Sequence, residues 1–157
     1  MAGRARAVSV FGSSQVQPGS AAYEEARFVG TLLAREGLTV CSGGYGGVME
    51  AVSRGAKEAG GFVIGVTSKI FTRRGANRWV DEEMQTETFI ERLQTLIELG
   101  QGYLALKGGI GTLTEISLVW SLLQIRSIQR GPFVLLRDPW EGLLELSADA
   151  LIIRKRD

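Results

Sequence analysis

The sequence predicts an α/β fold: a doubly wound parallel sheet held between helices in a three-layer α/β/α arrangement. Three observations lead there. Short apolar runs rich in β-branched residues alternate with segments of helical period. Glycine clusters stand directly behind several of those runs, where a parallel strand hands over to a helix. The 157 residues are 45% apolar and 22% charged, which suits one domain over residues 1–157 with a proper core.

Each element can be justified in order. Ala7–Phe11 ("AVSVF") is an apolar run closed by "GSS" and reads as a buried strand. A Pro/Gly/Ser loop follows, then a helix with Ala22, Ala26, Val29 and Leu33 on one face and Gly37 as its stop. Leu38–Ser42 is the second strand, running into "GGYGG". The next helix turns Val48, Val52, Ala56 and Ala59 inward and ends at Gly60–Gly61. Phe62–Thr67 is the third strand. Residues 68–79 have no period and carry Lys69, Arg73, Arg74 and Arg78, so they read as a long functional or mobile loop. A short fourth strand is expected near Val80–Met84.

Phe89, Leu93, Leu96 and Ile97 mark the inner face of a third helix stopped by Gly100. Gly102–Leu106 is a strand opening into "KGGIGT", and helical period runs from Thr112 to about Arg126. Pro132–Leu136 is a last strand and Trp140–Ala148 a last helix. The helix from Thr112 is apolar on too many sides for one sheet to cover, and its surplus points to a homodimer interface.

Composition excludes several function classes. A net charge of +1 leaves no electrostatic footprint for nucleic acid or an anionic membrane. The single cysteine, Cys41, rules out an internal disulfide and suits a reducing, cytoplasmic setting. No apolar run is long enough to cross a bilayer. Histidine is absent, which removes the usual neutral-pH base, the commonest transition-metal ligand and any Ser-His or Cys-His triad.

Ligands of open parallel sheets gather beyond the carboxyl ends of the strands. Three loops fall there: "FGSS" with Ser13 and Ser14, "SGGYGG" with Gly43, Gly44, Gly46 and Gly47, and "KGGIGT" with Gly108, Gly109, Gly111 and Thr112. Each leads toward a helix start, whose free N–H groups and positive dipole end suit a phosphate. Met49 occupies the position of a third dinucleotide-motif glycine and is grouped with the ligand-facing residues. A phosphate-bearing small molecule is therefore the expected partner, although such loops also occur as plain turns. Thr112-Leu113-Thr114-Glu115 fits a capping box, and Glu115 equally fits a carboxylate one turn from a bound anion, facing its sugar. Arg92 reads as a surface arginine from its own segment, and Cys41 as a core residue.

Taken together, these segments resemble the Lonely Guy (LOG) family of Rossmann-like proteins from Val8 to about Trp140. "VSVFGSS" looks like the family's opening strand and serine loop, and "SGGYGGVMEAVSRGAKEAGGFVIGVT" like its first glycine motif, helix and strand. "KGGIGTLTE" matches the signature Pro-Gly-Gly-x-Gly-Thr-x-x-Glu at every defined position except the first. The resemblance implies a homodimer that hydrolyses the N-glycosidic bond of nucleoside 5′-monophosphates. It makes Glu115 the catalytic carboxylate, Arg92 the substrate-positioning arginine, and Gly108, Gly109, Gly111 and Thr112 the phosphate loop. Lys107, Thr114 and Leu93 depart from the proline, glutamate and lysine of the active enzymes, and the neighbouring histidine is missing. "GGVMEAVSRGA" is closer to a sister branch containing molybdenum-cofactor carrier proteins, so a non-catalytic nucleotide or molybdenum-cofactor carrier is the alternative. Pyridoxal phosphate chemistry has no support, and no cofactor is expected. The base pocket is expected to involve the 68–79 loop and the other subunit.

Overall fold

The computed structural model describes residues 6–71, 75–136 and 138–150. Its strands are β1 (Ala7–Phe11), β2 (Thr39–Ser42), β3 (Val63–Ser68), β4 (Glu82–Thr86), β5 (Gly102–Ala105) and β6 (Phe133–Leu135). The helices are α1 (Ala21–Arg35), α2 (Val48–Glu58), α3 (Phe89–Leu99), α4 (Ile110–Gln124) and α5 (Trp140–Ala150). All strand pairings are parallel and the sheet order is β4-β3-β2-β1-β5-β6. The order reverses between β1 and β5, so the chains leaving these neighbours diverge and open a crevice at their carboxyl ends.

Alternation along the strands divides the core cleanly. Val10, Val40, Val63 and Leu106 face one side and pack on Tyr23 and Ala26 of α1 and Val48, Val52 and Ala56 of α2. Phe11, Cys41, Ile64, Val66 and Tyr103 face the other side with Leu96 and Ile97 of α3, Ile116 and Val119 of α4 and Trp140 of α5. This is the three-layer arrangement that the sequence predicts.

The helix ends follow local chemistry. Ser20 caps α1 through Tyr23 N–H at 3.3 Å, and Thr88 and Glu91 form a reciprocal capping box on α3. The fourth strand lies two residues beyond its expected place. Val80 N–H is held in a turn by Asn77 C=O at 3.1 Å, while the Asp81 carboxylate accepts from Val63 N–H at 2.8 Å and Lys57 at 2.7 Å. These bonds commit residues 80 and 81 before the ladder with β3 starts at Glu82. Within the expected 68–79 loop, β3 runs on to Ser68 and a 3-10 turn spans Lys69–Phe71. Lys69 pairs with Glu87, and Arg78 lies 4.5 Å from the Trp79 ring centre. Arg73 and Arg74 fall outside the described residues.

Helix α4 begins at Ile110, two residues before the expected start, with Gly109 as its cap and no side-chain capping bond. Thr112 is therefore inside the first turn and buried, so it does not cap the helix. The outer flank of α4 remains open: Leu118 and Leu122 border a shallow apolar groove with Ile90, Leu93 and Ile97 of α3. Among the described residues, no helix is long and apolar enough to cross a membrane.

Candidate active site

A cleft of about 660 Å³ opens beyond β1 and β5, at the reversal of strand order. Ser13, Ser14, Met49, Arg92, Gly109, Gly111, Thr112 and Glu115 line it. With Tyr45, which also lines it, residues from all three glycine- or serine-rich loops and from α3 meet in one place. Gly43, Gly44, Gly46, Gly47 and Gly108 do not line the cleft. They shape the backbone behind it.

A short chain of backbone hydrogen bonds sets the spacing of the loops. Ser13 N–H donates to Lys107 C=O at 2.8 Å, and Ser13 C=O accepts from Val48 N–H at 2.9 Å. The β1 loop is therefore bonded to the loops before both α4 and α2. A proline at 107 would present the same carbonyl, so Lys107 retains the group this link uses. Gly47 has φ +66°, and a Cβ there would run into the Ser13 carbonyl. Gly47→Ala is expected to cost about 2 kcal/mol or more, from left-handed strain and the lost close approach, read as a lower melting temperature.

Gly43 has a different task. A Cβ on it would overlap the Arg92 guanidinium and approach Met49 Sδ. Its bare backbone lets the Arg92 head sit against the sheet. Arg92 is only 6% exposed; Nε donates to Val66 C=O at 2.8 Å and one terminal nitrogen, Nη2, to Gly43 C=O at 3.0 Å. The Tyr45 and Phe71 ring centres lie 5.4 and 5.8 Å from the guanidinium carbon. Burial lowers the Arg92 pKa, and the nearby Glu115 carboxylate acts in the opposite direction. The surface placement suggested by its own segment is overturned. Arg92 sits on the inner face of α3 beside buried Leu93, Leu96 and Ile97.

Glu115 sits one turn into α4 and contributes to the cleft wall. With Gly109 as the cap, the capping-box role does not apply. Burial pushes its carboxyl from 4.5 up to about 7, against the opposing pull of Arg92. The first intrahelical bond of α4 runs from Leu113 N–H to Gly109 C=O at 2.9 Å. The amides of Ile110, Gly111 and Thr112 precede it at the positive end of the helix, beside the cleft. At α2 the corresponding first amide, Val48 N–H, is already taken by Ser13. The α4 start is thus the better anion seat of the two. Ser13 Oγ accepts from Gln15 N–H at 3.0 Å and Ser14 Oγ from Gln15 Nε2 at 3.1 Å, which leaves both hydroxyl protons to donate.

Thr114, one of the departures noted in the sequence, is exposed and donates to Ile110 C=O at 2.9 Å. It does not line the cleft. Leu93 is buried and borders the α3–α4 groove.

A model of the SLOG cluster4 family matches residues 5–128. The chain belongs to that family. Among similar proteins, a cytokinin riboside 5′-monophosphate phosphoribohydrolase of Mycobacterium marinum is 37% identical over 119 residues. That match covers 74% of this chain and 63% of the mycobacterial protein, so the chain spans less than two thirds of that relative's length. The molybdenum cofactor binding protein of Rippkaea orientalis superposes with a TM-score of 0.77 at 27% identity, covering 92% of this chain and 84% of that one. The molybdenum cofactor carrier protein of Chlamydomonas reinhardtii gives a TM-score of 0.71 at 25% identity, covering 94% and 86%. The LOG-like resemblance seen in the motifs and the Rossmann-like fold of this SLOG cluster4 chain are both shown by these matches.

Ile70 and Phe71 also line the cleft and come from the 68–79 loop, which the sequence reading assigns to the ligand pocket without naming residues. Sequence reasoning missed Gly12, Gln15, Tyr45, Phe89 and Ile110, which line it too. Tyr45 stands between the two glycine pairs, a position that could have drawn notice. Phe89 has no local signal.

Proposed function

We propose that this SLOG cluster4 chain is a nucleoside 5′-monophosphate phosphoribohydrolase. The observation that carries this reading is Glu115: a carboxyl raised to about 7, on the wall of the cleft, one turn behind a helix start that has no side-chain capping bond. The phosphate would sit at the amides of Ile110, Gly111 and Thr112, with the Ser13 and Ser14 hydroxyls as further donors. Arg92 would bind and orient the ribose phosphate with the N–H groups not used on Val66 and Gly43. Ionised Glu115 would take a proton from water as its oxygen bonds to C1′. The C1′–N bond breaks with its electron pair leaving on the base, which acquires a proton. The products are free base and ribose 5-phosphate. The carboxylate also stabilises positive charge developing at the anomeric carbon.

The similarity to the phosphoribohydrolase of M. marinum supports this reading. The superposition on the R. orientalis protein favours a second one, a carrier that holds a phosphate-bearing pterin cofactor in the same cleft without turnover. In either case the open flank of α4 and its groove with α3 suit a second copy of the chain, as the apolar excess of that helix suggests. Buried Cys41, whose thiol is pushed up to about 12, suits a reducing cytoplasmic setting. The decisive experiment incubates the chain with a panel of nucleoside 5′-monophosphates and follows free base by chromatography. Release of base with matching ribose 5-phosphate is expected. No release from any nucleotide, with binding retained, would leave the carrier reading.

A further inference from the structure

Resting on the reading of a phosphate seat at the start of α4, we propose that Trp140 is a positioning residue for that seat. Its indole N–H fixes the loop that presents the amides of Ile110, Gly111 and Thr112. Trp140 opens α5 and does not line the cleft, so it acts through the chain between β5 and α4.

Strand β5 ends at Ala105 and α4 begins at Ile110, so residues 106–109 alone join them. Three consecutive carbonyls at this exit accept from three different parts of the fold. Ala105 C=O accepts from Leu136 N–H at 2.9 Å, Leu106 C=O from Trp140 Nε1 at 2.8 Å and Lys107 C=O from Ser13 N–H at 2.8 Å. Leu106 is only 2% exposed and lies one residue past the strand, so its carbonyl needs a partner inside the protein. The outer two bonds use backbone donors, which most side chains at 136 and 13 would supply equally. The middle one depends on a side chain, and indole has a single donor to give.

The loop passes this constraint to the seat within a few residues. A Cβ on Gly108 would overlap the Thr112 side chain, so the bare backbone at 108 lies close against the buried Thr112 in the first turn of α4. Gly109 then caps the helix. The indole also belongs to the buried cluster that contains Ile116 and Val119 of α4. Trp140 thus bears on α4 in two ways, through the bond ahead of its first residue and through the shared core. Without the bond, residues 106–108 would populate arrangements in which the α4 amides no longer converge. Phosphate affinity would then fall by the fraction of time the seat is intact.

The test compares the full chain with Trp140→Phe, which keeps an apolar ring in the core and removes the donor. Calorimetric titration with ribose 5-phosphate, well below both melting temperatures, is expected to show binding weakened by about 3- to 10-fold, the worth of one such hydrogen bond. Val63→Ala, a core truncation at the start of β3, is expected to lower the melting temperature while changing that affinity by less than about twofold. A second measurement needs no change at Trp140. Saturating ribose 5-phosphate is expected to slow hydrogen exchange of the Trp140 indole N–H by a similar factor, because coupling between two sites is reciprocal. NMR follows this signal, and Trp79→Phe and Trp120→Phe chains, which each lose one of the other two, assign it. A Trp140→Phe chain that melts lower yet binds ribose 5-phosphate as tightly as before would leave Trp140 a packing role alone and overturn the proposal. Indole exchange indifferent to the ligand would overturn it too. If the unmodified chain binds no ribose 5-phosphate, the seat itself fails and the inference with it, whereas binding that ignores Trp140 sinks only the inference. Absence of base release bears on hydrolysis and leaves both standing.

Discussion

Replacing Glu115 by glutamine is expected to lower base release by about 10²- to 10⁴-fold, the usual worth of a positioned general base. Binding of ribose 5-phosphate should persist, because glutamine keeps the shape of the side chain and the phosphate seat lies on the backbone. The carboxyl is raised to about 7 chiefly by burial, with Arg92 opposing. The proposed role requires the ionised form. The kcat/KM of the unmodified chain should therefore climb as pH rises toward 7 and level off above it, and a profile from roughly pH 5 to 9 would show this. A fall in rate through the same range would mean that the protonated acid does the work. Stability should respond in the opposite sense. The folded chain keeps this proton up to about 7, whereas an unfolded chain releases it near 4.5. Rising pH across that interval favours the unfolded state. Glu115→Gln should abolish this contribution to the pH dependence, which denaturant melts of both proteins would reveal.

Arg92→Lys is expected to reduce kcat/KM by about 10- to 100-fold, the worth of one or two charge-assisted hydrogen bonds. The guanidinium divides its donors between Val66 C=O, Gly43 C=O and the cleft. One ammonium at the end of a flexible stem cannot reproduce that planar fork. Arg92→Met separates charge from packing. With the cation gone, nothing offsets the burial of Glu115 through this pair, so the pH midpoint should move above about 7. The lysine variant keeps the charge and should leave the midpoint closer to its original place. A residue that served only to pack α3 would move neither midpoint.

Much of the fold is written in short, local patterns. Ala7–Phe11 is an apolar run between turn residues, and the structure begins and ends the strand at those residues. β2 and β3 fall within a residue of where β-branched runs place them. β4 is harder because Glu-Glu-Met-Gln-Thr is polar and its start depends on bonds from Asp81 to Val63 and Lys57, which are distant in sequence. α4 shows two local signals in competition. Thr112 and Glu115 have capping-box spacing, yet the helix starts at Ile110 and carries both into its first turns. The site divides similarly. Ser13, Gly109, Gly111 and Glu115 are visible as turn and helix-start chemistry, while the burial of Arg92 depends on Gly43 having no side chain. The 68–79 loop is marked as a pocket segment by its lack of period, but nothing local singles out Ile70 or Phe71 within it.

The backbone of Ser13 has a consequence for how such a chain can be altered. It accepts from one loop and donates to another, so residues 12–14, 43–48 and 107–109 are matched parts of one frame. An engineer who transplants the "GGYGG" loop from a relative without its serine loop risks mismatching the donor at Val48. Drift in one segment would be tolerated only as far as the others accommodate it. The unit of inheritance at this end of the sheet is the set of loops, not any single motif.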